Sequence, residues 1–538
     1  MSFYSPASLK IISSYSPKLI LLFHSINSTT RQLHLNNLWI GNAGASVVAE
    51  ILRFNHSISE VYLSNNDIHE DGALTIGKAL AGNTSIAAVD LSINYIGDVG
   101  AIAVCEALKA SSFIASIDFS DNDINDGGVI SICELLKTKL TITSVDLSSN
   151  KIGDDGAIAI SKALDANSSI TTIDLSRSNF TKIGTVAIFE QLKRNQSLTF
   201  VEFRGNNICD EGTVKALGEA IQHNRSITHL NLYSNNIGVE GAKVIGEALK
   251  HNQSITSMDL SYNDIRDEGV VATCEALKHN QSMTAISLGG NNIENHGITY
   301  ISSTLIQDHH TITNIDLSHN CINGSIGIVA LSKALKSNQV ITDINLWGTM
   351  IGKEGALHIS DALINHPSIT HLEFWKNKLG SAGGIAISHA IRYNNSILYL
   401  SLRENDIGNE GAIAIGESLK HNQSIMYLDL SSNNISKEGG IVLGEGFLVN
   451  KSITYVDLTT NSLSNEGSIA IICALKQNRS ITQINLSYNN IQNDVVAQFS
   501  ESLKRNQSII AVDLRGNKVE HKMIEFIRNV GERNKIIP

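Results

Sequence analysis

Proline is scarce, with 4 in 538 residues. Pro6, Pro17 and Pro538 lie near the ends or at a helix exit, and Pro367 sits in a turn. No proline therefore interrupts a predicted strand or helix. Long apolar runs are also missing. The longest near the start, Leu19 to Phe23, is too short for a signal-peptide core or a membrane span. There is no excess of basic residues: 41 Lys and Arg face 52 Asp and Glu, a formal charge of −11. A nucleic-acid backbone binder needs a concentrated basic face, so nucleic acid is not expected as a partner. The 6 cysteines fall at unrelated places, with Cys105, Cys133, Cys274 and Cys473 in helical stretches and Cys209 and Cys321 in loops. That is no disulfide framework, and it predicts a reducing, cytoplasmic setting.

What is present is repetition. A phrase of the form Leu/Ile/Val-x-Leu/Phe-x-x-Asn returns eighteen times, most often 28 residues after the last, as at Val145 to Asn150 and Leu428 to Asn433. Period-2 apolar spacing (Val145, Leu147) gives way to helical spacing (Ala157, Ile160, Ala163, Leu164), so each repeat reads as a short strand followed by an amphipathic helix. The array spans 33–511. Residues 1–32 read as an N-terminal cap or degenerate repeat, and 512–538 as a terminal repeat with a polar C-terminal cap.

A single repeat cannot cover its own apolar side chains, so neighbours must stack. A helix after every strand makes all strands parallel. Parallel strands stand about 4.8 Å apart and packed helices about 8–10 Å. The expected fold is an α/β solenoid of about 18 strand-helix repeats, a bent horseshoe or open coil with a parallel concave sheet and convex helices.

The Asn after the strand recurs in 15 repeats, and stacked copies suit a buried turn. A Gly six residues on, such as Gly156 and Gly355, suits a helix start where a Cβ would clash. Twelve Asn-x-Ser/Thr sequences sit at one repeat position, among them Asn55, Asn224, Asn422 and Asn506. We read them as turn residues that end each helix, not as glycosylation acceptors.

The run Leu400 to Ala412, Leu-x-Leu-x-x-Asn-x-Ile-Gly-x-Glu-Gly-Ala, resembles the leucine-rich repeats of the ribonuclease-inhibitor type, and the array is similar to those of NOD-like receptors. The resemblance implies a non-enzymatic interaction surface. Ran GTPase-activating proteins have similar repeats, so GTPase activation is the rival, and a receptor fragment without its nucleotide-binding domain is a third reading. The chain shows no complete P-loop.

On each strand the residues before, between and after the two inward apolar positions form three columns on the open face. The middle column carries a carboxylate in 11 of 18 repeats, including Asp90, Asp118, Asp146 and Asp174 in succession. From the twelfth repeat the columns change to Trp347, then His371, Glu373 and Trp375, then Tyr399 and Arg403, then Tyr427 and Tyr455. Trp, Tyr and Arg dominate interface energetics, so these eight residues are the expected partner-binding patch. Arg204, His229 and Tyr233 form a smaller second patch. Lysines after each helix's last Leu, such as Lys109, Lys250 and Lys420, suit the helix dipole.

No zinc motif, Cys-x-x-Cys pair or nucleophile elbow is present. Asp121 to Asn125 begins like a calcium loop, but Asp126 and Ile132 stand where Gly and Glu are required. No catalytic residue, metal or cofactor is expected. The expected partner is a protein, and the charge favours a basic one.

Overall fold

The structure is a computed structural model and describes residues 6–14, 17–27, 29–322, 325–495, 498–499, 502, 506–520 and 535–537. It divides into two compact units, one of residues 1–263 with 280–283 and the other of 264–279 with 284–538. Among the described residues the first unit has nine strands, from Gln32–His34 to Ser257–Asp259, and the second has ten, from Ala285–Ser287 to Lys535–Ile537. In both, every strand pairs in parallel with the next, and the register is one repeat. Tyr399, Leu400 and Ser401 face Tyr427, Leu428 and Asp429. A helix follows each strand through Gln32–His34 to Tyr455–Asp457, which is the solenoid the periodicity predicts.

The repeat from Tyr399 shows how the core forms. Leu400, Leu402, Ile407, Ala412, Ile415 and Leu419 are all fully buried. The large side chains among them each contribute roughly 1.5–3 kcal/mol. The turn between strand and helix would bury unpaired backbone groups, and Asn405 pairs them. Its Nδ2 donates to the carbonyls of Leu402 (3.0 Å) and Phe374 in the preceding repeat (2.8 Å). Its Oδ1 accepts from the N–H of Asn377 at 2.8 Å. The same bonds recur at Asn94, Asn263 and Asn461.

The recurrent Gly at the helix start is a steric requirement. A Cβ on Gly156 would stand 2.6 Å from both Asp126 Oδ1 and Ile152 Cγ2. Other glycines let helix backbones touch, which the repeat pattern does not announce. A Cβ on Gly444, in helix Lys437–Val449, would lie 2.8 Å from the Ala470 carbonyl carbon in helix Ser464–Leu475. A Cβ on Gly446 would likewise lie 2.6 Å from the Gly416 carbonyl oxygen of helix Gly408–Leu419. Backbone cannot yield as a side-chain tip can. Gly444→Val is expected to lower unfolding stability by about 2–3 kcal/mol, read as a lower urea midpoint at unchanged slope.

Three repeats carry 29 residues. The extra residue after Asn291 is absorbed as a π-helix, Ser302–Gln307, continuing helix Asn295–Ile301. The one before helix Glu211–His223 coincides with Asp210, whose side chain caps the N–H groups of Gly212 and Thr213. The third falls partly on 323–324, outside the described residues. The apolar run 19–23 lies in helix Pro17–Ser25, and Phe23 is fully buried. Most of the expected C-terminal cap, 521–534, is likewise outside the described residues.

Candidate functional site

The expected patch lies within the second unit. Because the strands are in register, equivalent side chains stack at about the strand spacing. Trp347 and Trp375 lie face to face, 4.3 Å between ring centroids and 3° from parallel. Arg403 covers the far side of Trp375 with its guanidinium carbon 4.6 Å from the ring centre, and His319 meets Trp347 edge-on at 4.0 Å. The result is one closed column, His319, Trp347, Trp375, Arg403. Stacking leaves both tryptophans half-buried, more covered than the sequence suggests, so they offer ring edges to solvent and not faces.

A second aromatic column runs parallel to it. His371 stacks on Tyr399 at 5.6 Å, Tyr399 on Tyr427 at 4.2 Å and Tyr427 on Tyr455 at 4.5 Å. Between the two columns lies the carboxylate row Glu373, Asp429 and Asp457. Burial raises the Glu373 and Asp429 carboxyls above the usual range, opposed in part by hydrogen bonds from Tyr399 and Ser401 to Glu373 and from Ser431 to Asp429. Burial, then the bond to Glu373, also pushes the Tyr399 hydroxyl up, so it stays a neutral donor. All eight residues of the patch thus line one surface.

One feature of this surface was not legible beforehand. The indole Nε1 atoms of Trp347 and Trp375 are buried and meet no acceptor among the described residues. A buried donor left without an acceptor costs about 1–3 kcal/mol.

The residues of the second expected patch belong to two neighbouring strand segments of the first unit. Arg204 turns to Glu202, Nε to Oε2 3.1 Å, while His229 stacks on Phe200 at 5.6 Å and Tyr233 on Tyr262 at 5.0 Å. The three residues reach different neighbours.

The recurring acid has a local structural task. Its Oδ1 accepts from the backbone N–H two residues on, at Asp146 from Ser148 (2.9 Å) and at Asp429 from Ser431 (2.8 Å). Asn231, Asn345 and Asn485 make the same bond without the charge. The charge is therefore extra to the turn. In the first unit it is costly: burial, then Asp118 and Asp174, pushes Asp146 up to about 6. Because this folded value lies above the unfolded one, Asp146 contributes stability that is complete below about pH 4 and lost as pH rises through about 6. Asp146→Asn keeps the turn bond and removes the repulsion. It is expected to gain on the order of 2 kcal/mol at pH 7 and little at pH 4, measured by urea unfolding at both.

The twelve asparagines of the Asn-x-Ser/Thr sequences are all buried. They form a second ladder at the helix ends. Asn422 Nδ2 donates to the carbonyls of Ile391 (2.8 Å) and Asn394 (2.9 Å), and its Oδ1 accepts from the N–H groups of Ser424 and Ile425 at 3.0 Å. An amide nitrogen so occupied cannot carry a glycan in the folded chain. Among the lysines at the helix ends, Lys109 pairs with Glu106 (2.5 Å), Lys250 with Glu247 (2.6 Å) and Lys420 with Glu417 (2.6 Å). Among the described residues no cluster of His, Cys, Asp and Glu could hold a metal, and no helix is long and apolar enough to cross a membrane.

Comparison with known proteins agrees with this architecture. The family described as "Leucine Rich repeat" matches residues 82–105, 110–133, 138–161, 223–246, 251–272, 279–302, 393–416, 421–444 and 477–494. The matched segments break off at 302 and resume at 393, and both stacked tryptophans lie in that interval. No curated protein matches the sequence. A crystal structure of a TLR13–ssRNA13 complex is similar over 88% of this chain, with a TM-score of 0.54 and 14% identity. The chain spans 62% of that protein's length, and at this identity the likeness concerns the fold alone. A structure of leiomodin-1 actin-binding site 2 is 21% identical over 28% of this chain and 88% of its own, but its TM-score of 0.24 carries no weight. Repeat sequence, strand register and helix layering together are those of a leucine-rich repeat solenoid.

Proposed function

We propose that the chain is a non-enzymatic interaction scaffold or sensor that holds a protein partner on the open sheet face of its second unit, anchored at Trp347 and Trp375. The observation that carries this reading is the tryptophan pair with its two buried, unpartnered indole N–H groups. Elsewhere the column holds Ser at small cost, as at Ser120, Ser148 and Ser261. Two tryptophans that leave donors unsatisfied are a poor way to stabilise a turn, and a partner surface that reorders them gives those donors acceptors. Trp347 and Trp375 both lie in one of the intervals without a family match.

The reading against nucleic acid rests on the formal charge of −11 and the carboxylate row between the aromatic columns. The RNA in the TLR13 complex belongs to that protein.

The test is affinity capture from native cell lysate with the wild type beside Trp347→Ala/Trp375→Ala, after circular dichroism shows that the double variant folds. A protein retained by the wild type and lost by the variant is the expected result. Equal capture by both would remove the anchor role of the tryptophans.

A further inference from the structure

We infer that the segment docked on this face is basic and extended, with one arginine side chain seated in a cavity at the edge of the tyrosine column. This rests on the docking reading above and adds the chemistry of the partner. Across the six strands from Asn314–Asp316 to Tyr455–Asp457, the outward columns present five carboxylates, Asp316, Asp343, Glu373, Asp429 and Asp457. Arg403 is the single Lys or Arg in those columns, and its guanidinium is taken up by Trp375 and by Glu404, 3.5 Å from its Nε. The face therefore carries a surplus of negative charge beside aromatic edges, which a basic chain complements.

The cavity follows from a step in side-chain size. In one column Ala285, Asn314 and Asp343 are short, and the next residues in register, His371 and Tyr399, are long. The step leaves a hollow of about 330 Å³ whose wall is His371 and Tyr399 and whose polar lining includes Asp316, Asp343, Asn345 and Glu373. That is room for one long side chain. Asp343 Oδ1 stands 3.4 Å from His371 Nδ1 and its Oδ2 accepts from the Thr342 hydroxyl at 2.6 Å, and no Lys or Arg ion pair reaches Asp316, Asp343 or Glu373 among the described residues. A guanidinium matches carboxylates through its planar fork and stacks on aromatic rings, which an ammonium does less well. Arginine fits both parts of the lining.

The test is fluorescence anisotropy of the full chain with a short labelled peptide alternating Arg and Gly. Lys/Gly, Ser/Gly and Glu/Gly peptides of equal length and a short oligouridine serve as comparators. The Arg/Gly peptide is expected to bind at least about tenfold more tightly than the Ser/Gly peptide, to weaken with added salt, and to lose about tenfold on Asp343→Asn/Glu373→Gln. Asp90→Asn/Asp118→Asn, in the other unit, is expected to leave it within about twofold. Equal binding of Arg/Gly and Ser/Gly peptides, tighter binding of oligouridine, or equal losses from both pairs of substitutions would overturn the inference. If the Trp-dependent capture holds while the Arg/Gly peptide fails, the docking face stands and its partner is not basic. If both fail, the docking reading goes as well.

Discussion

Replacing Asn405 by leucine is expected to lower the unfolding free energy of the second unit by about 3–5 kcal/mol, among the largest losses a single substitution here can produce. Leucine is close in size, so no cavity accounts for the loss. The cause is electrostatic. Asn405 serves the carbonyls of Phe374 and Leu402 and the N–H of Asn377, all in a buried turn. Leucine strands each of them at about 1–3 kcal/mol before relaxation and water entry recover part. Asn405→Asp is a useful second variant, because it keeps an acceptor for Asn377 and loses both donations. Urea unfolding followed by far-UV circular dichroism reads both, and a loss under 1 kcal/mol for the leucine variant would mean that the turn repairs itself. Because neighbouring repeats hold one another, the same change is expected to broaden the transition, as a stacked array divides at its weakest interface.

Once a partner is in hand, Trp347→Ala/Trp375→Ala is expected to weaken its affinity at least about a hundredfold, close to 2.7 kcal/mol, the range of an aromatic hot spot. Trp347→Phe/Trp375→Phe separates the two ways in which the pair can contribute. It keeps a stacked column next to Arg403 and removes the indole N–H groups. If the partner supplies acceptors for them, the phenylalanine variant binds at least about tenfold more weakly while folding as stably as the wild type or more so, since the unpaired donors are gone. Isothermal titration together with thermal unfolding gives both quantities. Full affinity with Phe at both positions would assign the pair to shape and stacking alone.

How much of this could be seen in the chain follows from what a repeat makes visible. The strand positions, the parallel register and the strand-end asparagine were legible because 28-residue recurrence aligns equivalent residues and the pleat decides which of them face the helices. The same alignment placed Trp347 beside Trp375 and Tyr399 beside Tyr427. Contacts between unlike positions were not legible. The helix-end asparagine looked like an ordinary turn residue because its donors reach back a full repeat, as from Asn422 to Ile391. The repeat pattern does not announce Gly444, whose missing Cβ admits the backbone of the next helix. The individual neighbours of Arg204, His229 and Tyr233, namely Glu202, Phe200 and Tyr262, were not legible either. The orphaned indole donors depend on ring orientation within the stack, which no spacing encodes.

The two asparagine ladders also share a direction. Asn405 gives its amide to Phe374 and Asn422 gives its own to Ile391 and Asn394, residues that precede them in the chain. Each repeat completes the hydrogen bonding of the one made before it. On a ribosome that order has a practical meaning: every acceptor an emerging asparagine needs has already left the exit tunnel. The array can close one turn at a time behind the point of synthesis, with no wait for distant sequence still to be translated. These side-chain bonds reach back only 28 to 31 residues, so no part of either ladder depends on sequence far along the chain.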